Sequence, residues 1–351
     1  MAEKLEKIIL SGTHEEIGFQ HGELLAEHIH RNIAFYKPLI LNNFRDEAQA
    51  LAATQRFKQR IADFNPDFVT EIDHIALGAK VDEPLWVYAL NARTELALTK
   101  NVDECTAVVL PQHKLIGQTW DWSHHLDEGF VVMDIHFPSG HQILQLTEAG
   151  IIGKIGMNNR GLGQTLNILW MVDKVLDGVP VHVLLRAILE THSLEEAKEV
   201  INRSGRGKAS NILIARGGQA FDVEFAGGHV FIHDIETEFY AHTNHYLHSP
   251  EPIILDQSDP SNSITRYQTA MDGLGEINEF STEAVVKILS DQSNGDYPIL
   301  RKLRLDPLDT MGYCGTLVTI VMDLENQCMQ VRKGNPSSPS FSMDGFVEFG
   351  F

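Results

Sequence analysis

The texture of the sequence changes at Cys105, and that change limits the folds open to the chain. Upstream, apolar residues recur at helical spacing. Thr13-His14-Glu15-Glu16 carries a capping-box pattern, and Ile17, Gln20-His21, Leu24-Leu25 and His28 continue along one face. The periodicity predicts further helices over about 46–64, 66–78 and 83–99, each bounded by Asn, Pro, Gly or Asp. Downstream, short β-branched or alternating runs are broken by Gly-bearing turns. These predict strands over 130–137, 141–148, 151–157 and 161–167, then helices over 180–191 and 193–202. Strands follow over 209–215, 220–225, 229–234 and 238–243, helices over 263–274 and 282–290, and closing strands near 315–323 and 328–332. Groups of strands separated by groups of helices predict an α+β fold with helices outside the sheets, rather than a regularly alternating parallel one. The segment 335–342, rich in Ser and Pro, reads as a loop.

Cys105 opens the first of the downstream strands, which runs to Leu110. Pro111-Gln112-His113-Lys114 breaks it, and a second strand runs from Leu115 to Trp122. Pairing as a hairpin places the start of the first strand beside the end of the second, so Cys105 becomes a neighbour of Trp120, Asp121 and Trp122. A thiol facing a carboxylate between two tryptophans is a candidate site for nucleophilic catalysis. The competing reading is a buried free cysteine serving as a small hydrophobe. The local sequence leaves both open, because a reactive thiol needs a particular microenvironment.

Composition narrows the classes of partner. The 351 residues are 43% hydrophobic and 22% charged, enough for one large globular domain or two smaller ones. With 48 acidic against 28 basic residues the formal charge is −20, which disfavours nucleic acid and anionic membranes as partners. Three cysteines without a C-x-x-C pair make a poor disulfide framework and fit a reducing compartment. No secretion signal is read at the N-terminus, and no run approaches the ~18 apolar residues of a spanning helix. The expectation is a soluble, cytoplasmic protein.

Other polar residues sit at predicted strand ends. Asn158-Asn159-Arg160-Gly161 reads as a hairpin turn. Ser210 and Asn211 enter a buried strand and need partners there. Asn244, in His242-Thr243-Asn244-His245, can donate to a developing oxyanion or simply cap a turn. Arg266, opening a helix, can support a site, bind a carboxylate or lie on the surface, and the surface is the preferred reading. Among 17 histidines, His124, His125, His242 and His245 form the one set to weigh as a zinc site. Metal-motif spacing is missing, and His124 and His125 would point to opposite faces of a strand, so no metal is expected.

Together these segments resemble the isopenicillin-N acyltransferase family of N-terminal-nucleophile cysteine hydrolases. The resemblance rests on Glu16-Ile17-Gly18-Phe19-Gln20-His21-Gly22, Asn91-Ala92-Arg93-Thr94-Glu95, Glu104-Cys105-Thr106, Thr119-Trp120-Asp121-Trp122, Gly156-Met157-Asn158-Asn159-Arg160-Gly161, His242-Thr243-Asn244-His245 and Val321-Met322-Asp323-Leu324. It covers most of the chain, and the order and spacing of the pieces carry it.

The resemblance implies a four-layer αββα sandwich with a helical N-terminal pro-segment. It implies self-cleavage between Glu104 and Cys105, giving a pro-segment of residues 1–104 (α subunit) and a catalytic domain of residues 105–351 (β subunit) that stay together as an αβ pair. Cys105 is then nucleophile and, through its new α-amine, its own base. Asp121 orients that amine, and Asn244 is the oxyanion-hole donor. Trp120, Trp122 and Trp170 are candidate walls of an apolar acyl pocket, and Arg93 and Glu95 structural ties between the two pieces. The substrate implied is a small-molecule amide or acyl thioester, attacked through a thioester acyl-enzyme without a cofactor, and a homo-oligomer is compatible. Hydrolysis is favoured over transfer because water is always an available acceptor. One departure matters: Glu104 stands where the best-known acyltransferase has Gly. Its side chain restricts the strained backbone that cleavage favours, and Asp103 and Glu104 raise the thiol pKa, so slow cleavage is expected. The alternative is a non-catalytic member of the same fold that binds an acyl amide.

Overall fold

The computed structural model describes residue 5 and residues 7–97, 105–169, 178–205, 209–226, 228–248, 261–306 and 311–351. Glu104 and Trp170 lie outside the described residues. The N-terminal part comprises β1 (Lys7–Ser11), α1 (His14–Leu24), α2 (Ala26–Leu41), α3 (Glu47–Phe64), α4 (Pro66–Gly78), α5 (Leu85–Asn91) and α6 (Arg93–Ala97). The predicted helix start is present: Thr13 and Glu16 form a capping box in which the Glu16 N–H reaches the Thr13 side chain and the Glu16 carboxylate returns to the Thr13 N–H.

The hairpin anchored at Cys105 forms as read. It consists of β2 (Thr106–Leu110), a 3-10 turn at Pro111–His113 and β3 (Leu115–Ser123), with Thr106 opposite Thr119. Then come β4 (Phe130–His136), β5 (Gln142–Glu148), β6 (Ile155–Asn158), β7 (Leu162–Gln164), β8 (Asn167–Ile168), α7 (Val181–Leu189) and α8 (Leu194–Arg203). The chain continues through β9 (Ser210–Arg216), β10 (Gln219–Ala226), β11 (His229–Ile235), β12 (Tyr240–His242), α9 (Ser261–Gly275) and α10 (Thr282–Leu289). It closes with β13 (Arg304–Leu305), β14 (Tyr313–Asp323), β15 (Cys328–Lys333) and β16 (Val347–Gly350).

These strands form two sheets. One has the order β1-β4-β5-β6-β7-β9-β10-β11, with β8 beside β9; the other has the order β12-β2-β3-β14-β15-β16, with β13 beside β14. Helices α7 and α8 cover the first sheet, and α9 and α10 cover the second. The sheets face each other: a Cβ on Gly163 of β7 would meet the side chains of Ile116 (β3) and Leu324. Gln118 of β3 ties the layers by exchanging hydrogen bonds with both backbone groups of Leu166 (3.1 and 2.7 Å). The result is the four-layer αββα sandwich. Val108, Leu115, Leu274 and Ile288 fill the space between the second sheet and its helices, and a larger core lies between the sheets.

Two features of the N-terminal part depart from the predictions. It is not wholly helical, because β1 is a strand that pairs in parallel with β4 and extends the first sheet. The helix read from Thr13 through His28 is broken at Leu25, and His28 belongs to the 16-residue α2, which runs to Leu41 with Pro38 inside it. The glycines of the Glu16–Gly22 motif serve helix contact. A Cβ on Gly18 or Gly22 would lie 2.2 Å from a carbonyl oxygen of α4, so α1 and α4 meet backbone to backbone.

Candidate active site

Cys105 precedes β2 at the inner end of the hairpin and is 7% exposed. Both of its backbone groups are held. Its N–H donates to Asn244 Oδ1 at 3.0 Å, and its carbonyl accepts from Arg266 Nη1 at 2.6 Å. Arg266 Nη2 also donates to Asn244 Oδ1 (2.8 Å), and Asn244 Nδ2 donates to the Ile168 carbonyl (2.9 Å). Two N–H donors meet one end of the Asn244 amide and a carbonyl meets the other, which fixes its orientation.

Helix α9 positions this group. Ser263 Oγ accepts the Asn244 N–H (2.8 Å), and Arg266, one turn later, reaches Cys105, Thr106 Oγ1 (2.9 Å) and Asn244. The surface reading of Arg266 is therefore overturned: it is fully buried on the face of α9 that packs against β2 and β12. A lone cation near the start of a helix carries no periodic signal of the face it occupies.

Cys105 borders a small cavity of about 20 Å³, which Asp121, Asn244, Trp120 and Trp122 also line. The hairpin thus brings together the residues that the sequence placed beside the thiol. Burial, then the negative charge of Asp121, pushes the Cys105 thiol up to about 12; the Asp121 backbone N–H, Arg266 and Lys154 pull the other way. In the continuous chain this thiol stays protonated at neutral pH.

The remaining wall of the cavity holds Arg93 and Lys154. Sequence reading assigned Arg93 a structural role and passed over Lys154. Both donate to the same oxygen, Glu148 Oε1, at 2.6 Å each, while Tyr36 Oη donates to Oε2 at 2.6 Å. The Arg93 guanidinium lies over the rings of Tyr36 and Trp122 (5.1 and 4.9 Å to the centroids), and Trp122 Nε1 donates to Tyr36 Oη (2.9 Å). Lys154 Nζ lies 3.0 Å from the centre of the Trp120 ring. Its pKa is lowered to about 7 by burial, against the pull of Glu148, and the two cations hold Glu148 well below the usual carboxylate range. The signal for these residues was present in Glu148-Ala149-Gly150-Ile151-Ile152-Gly153-Lys154, two opposite charges bracketing an otherwise apolar run.

The N-terminal motifs converge on that run. His21 Nε2 accepts the Gly150 N–H (2.9 Å), and burial lowers the His21 pKa to about 4, which keeps the ring a neutral acceptor. Asn91 donates to the Gly150 carbonyl (2.8 Å) and accepts the Ile152 N–H (3.0 Å). Glu95 Oε1 accepts the Val181 N–H (2.8 Å) at the start of α7. Residues before Cys105 thus clamp the loop that carries Lys154.

The histidines do not form the zinc set weighed above. His124 and His125 occupy a 3-10 turn with rings 4.2 Å apart instead of opposite faces of a strand. His245 packs against Ser263 and Tyr267. Among the described residues, the one group with metal-holding geometry is Asp222, Glu224 and His242. Its atoms already have partners: Asp222 accepts from Asn211 and Tyr240 Oη (2.9 Å), and Glu224 pairs with His242 Nε2 (2.9 Å) and accepts the His248 N–H (3.0 Å).

Comparison with known proteins agrees with the family resemblance. The acyl-coenzyme A:6-aminopenicillanic-acid-acyltransferase 40 kDa form of Emericella nidulans is 30% identical over 339 residues, 95% of this chain and 93% of its own. The beta-alanyl-dopamine/carcinine hydrolase of Drosophila melanogaster is 24% identical over 367 residues, covering 93% of this chain and 92% of its own. Among solved structures, a Caenorhabditis elegans N-acylethanolamine-hydrolyzing acid amidase ortholog superposes with a TM-score of 0.43 at 16% identity, over 70% of this chain and 100% of its own. The family model described as acyl-coenzyme A:6-aminopenicillanic acid acyl-transferase matches residues 109–338, and the chain belongs to that family.

Proposed function

We propose that this chain is an amide hydrolase of the N-terminal-nucleophile kind, activated by cutting itself before Cys105. The observation that carries the reading is the grip on the Cys105 backbone. Asn244 and Arg266 hold its N–H and C=O, while Cys105 and Asp121 line one small cavity. A nucleophile that is also its own base needs its main-chain nitrogen placed as accurately as its sulfur.

In the first step the Cys105 thiol adds to the Glu104 carbonyl. The Glu104–Cys105 amide breaks, its nitrogen takes a proton, and a thioester forms. Water hydrolyses the thioester, leaving a carboxylate on Glu104, a free thiol and a free α-amine on Cys105. An α-amine titrates near 7.7–8.0, so an appreciable fraction is neutral at pH 7 and can accept the thiol proton. The charge of Asp121, which opposes thiolate formation in the continuous chain, then faces an amine it can orient. Asn244 contributes to the oxyanion hole, and Trp120 and Trp122 contact the acyl group.

Residues 1–104 and 105–351 remain an αβ pair, joined by β1 in the first sheet, by Arg93 with Glu148, and by the His21 and Asn91 clamp. The two curated relatives are named for acyl transfer to 6-aminopenicillanic acid and for hydrolysis of beta-alanyl-dopamine and carcinine. That class, a small amine joined to an acyl group, is the substrate class carried over to this chain, with water as the acyl acceptor. Three free cysteines fit a reducing compartment such as the cytoplasm.

Intact mass of the purified protein beside Cys105→Ala tests this reading, with N-terminal sequencing of any fragment. Wild type should yield a fragment beginning Cys-Thr-Ala-Val, and the variant should stay whole and inactive. A single full-length mass for both after long incubation would remove the autoproteolytic reading and bring the non-catalytic one forward.

A further inference from the structure

The buried groups around the Cys105 cavity are unevenly satisfied. Arg93 is 2% exposed and uses one nitrogen, Nη2, on Glu148. Among the described residues, its Nε and Nη1 have no hydrogen-bond partner. The Tyr36 and Trp122 rings lie 5.1 and 4.9 Å from the guanidinium carbon, and the N–H groups of Nε and Nη1 point outward in the guanidinium plane. Buried N–H groups of a cation are seldom left without an acceptor, and one that borders a nucleophile's cavity marks the place where a ligand oxygen belongs.

Charge supports the same conclusion. Two cations, Arg93 and Lys154, share a single Glu148 oxygen, and the other oxygen is occupied by Tyr36. The carboxylate that lines the cavity itself, Asp121, belongs to the Cys105 side, and the buried Glu95 adds a weaker pull on Arg93 than Glu148 does. His182, near Arg93, is kept neutral by burial, then by the charges of Arg93 and Lys154, so it brings no further charge.

The geometry points to Arg93, assisted by Lys154, as an anion subsite that receives a substrate carboxylate a few bonds from the scissile carbonyl. This rests on the proposed role of Cys105. The small cavity keeps the anion close to the sulfur, so the carboxylate belongs to the α-carbon of a leaving amino acid or to a short dicarboxylic acyl group.

The test reads the reactivity of Cys105 toward iodoacetate and iodoacetamide, reagents of similar size that differ in charge. It is run on the whole purified protein and on its cleaved form, with peptide mass mapping to separate Cys105 from Cys314 and Cys328. The iodoacetate-to-iodoacetamide rate ratio at Cys105 should exceed that of free cysteine by about tenfold or more, the size expected of one hydrogen bond to a charged group. Arg93→Met should lower the ratio to the smaller share that Lys154 carries, and Arg93→Lys should restore part of the loss. If Arg93→Met does not fold, protection of wild-type Cys105 replaces it. Phenylacetylglycine or N-phenylsuccinamic acid should protect, and their carboxamide counterparts should not. The better protector identifies whether the amine or the acyl side bears the carboxylate. A free-cysteine ratio at a labelled Cys105, or equal protection by acid and carboxamide, overturns the subsite and leaves the nucleophile standing. In the cleaved form, a Cys105 that neither reagent labels while Cys328 reacts overturns both.

Discussion

Two buried ionic groups lie near Cys105, and they are built differently. In the first, Glu148 is shared by Arg93 and Lys154, and two guanidinium nitrogens have no acceptor among the described residues. In the second, Asp222 and Glu224 surround His242, and Tyr240, Asn211 and the His248 backbone close the group. The second anchors the segment that carries Asn244, since His242 is two residues away and Asn167 donates to its carbonyl (3.1 Å). Burial makes each unmatched polar group expensive, so a group built for rigidity is closed. An open one fits a place where something else binds.

The largest expected effect comes from removing the shared carboxylate. Glu148→Gln removes the one carboxylate that Arg93 and Lys154 both contact while leaving them buried, and should cost about 3–5 kcal/mol. Glu224→Gln keeps one acceptor oxygen in a group already rich in hydrogen bonds, and should cost about 1–3 kcal/mol. Urea unfolding in a Cys105→Ala background, which keeps one covalent chain, measures both. Equal losses would erase the distinction between the two groups. If Glu148→Gln folds, it should also raise the iodoacetate preference at Cys105, because it releases two cations from their carboxylate.

The sequence made the closed group hard to find and the open one harder. The Cys105 hairpin was legible because its two strands are adjacent and carry β-branched residues around a Pro-bearing break. The segments around α7 to α10 were legible from their caps and periodicity. β1 was not: its five residues pair in parallel with a strand more than a hundred positions later, and no local pattern announces such a partner. Arg266 was misplaced because the face of a helix that bears one lone charge is decided by what packs on it. Arg93 was seen as a tie between the two parts of the chain, which it is, but its open N–H groups exist only in three dimensions. Lys154 and Asp222 gained their partners through strand pairing and loop closure far from their own neighbours in sequence.

The smallest expected effects separate the two groups by the sign of their pH dependence. Burial lowers the Lys154 pKa from 10.5 to about 7, although Glu148 opposes it. Between those values the unfolded chain binds this proton more than the folded chain does, so the site's contribution to stability grows as pH rises from 7 toward 10. His242 behaves oppositely. Burial alone would lower its pKa, but Asp222 and Glu224 together raise it above 6.5. The folded chain then holds that proton more tightly, so the contribution is complete below pH 6.5 and fades as pH rises through the folded pKa. Neither slope can exceed about 1.4 kcal/mol per pH unit for a single group. Urea midpoints from pH 5.5 to 9 should therefore lose their rising component in Lys154→Met and their falling component in His242→Gln. A Lys154→Met curve parallel to the parent would mean that the lysine keeps an ordinary pKa beside Glu148. Lys154 would then stay charged throughout, and the anion preference at Cys105 would not weaken above pH 7. With the lowered pKa, that preference should fall above pH 7 to the part that Arg93 carries alone.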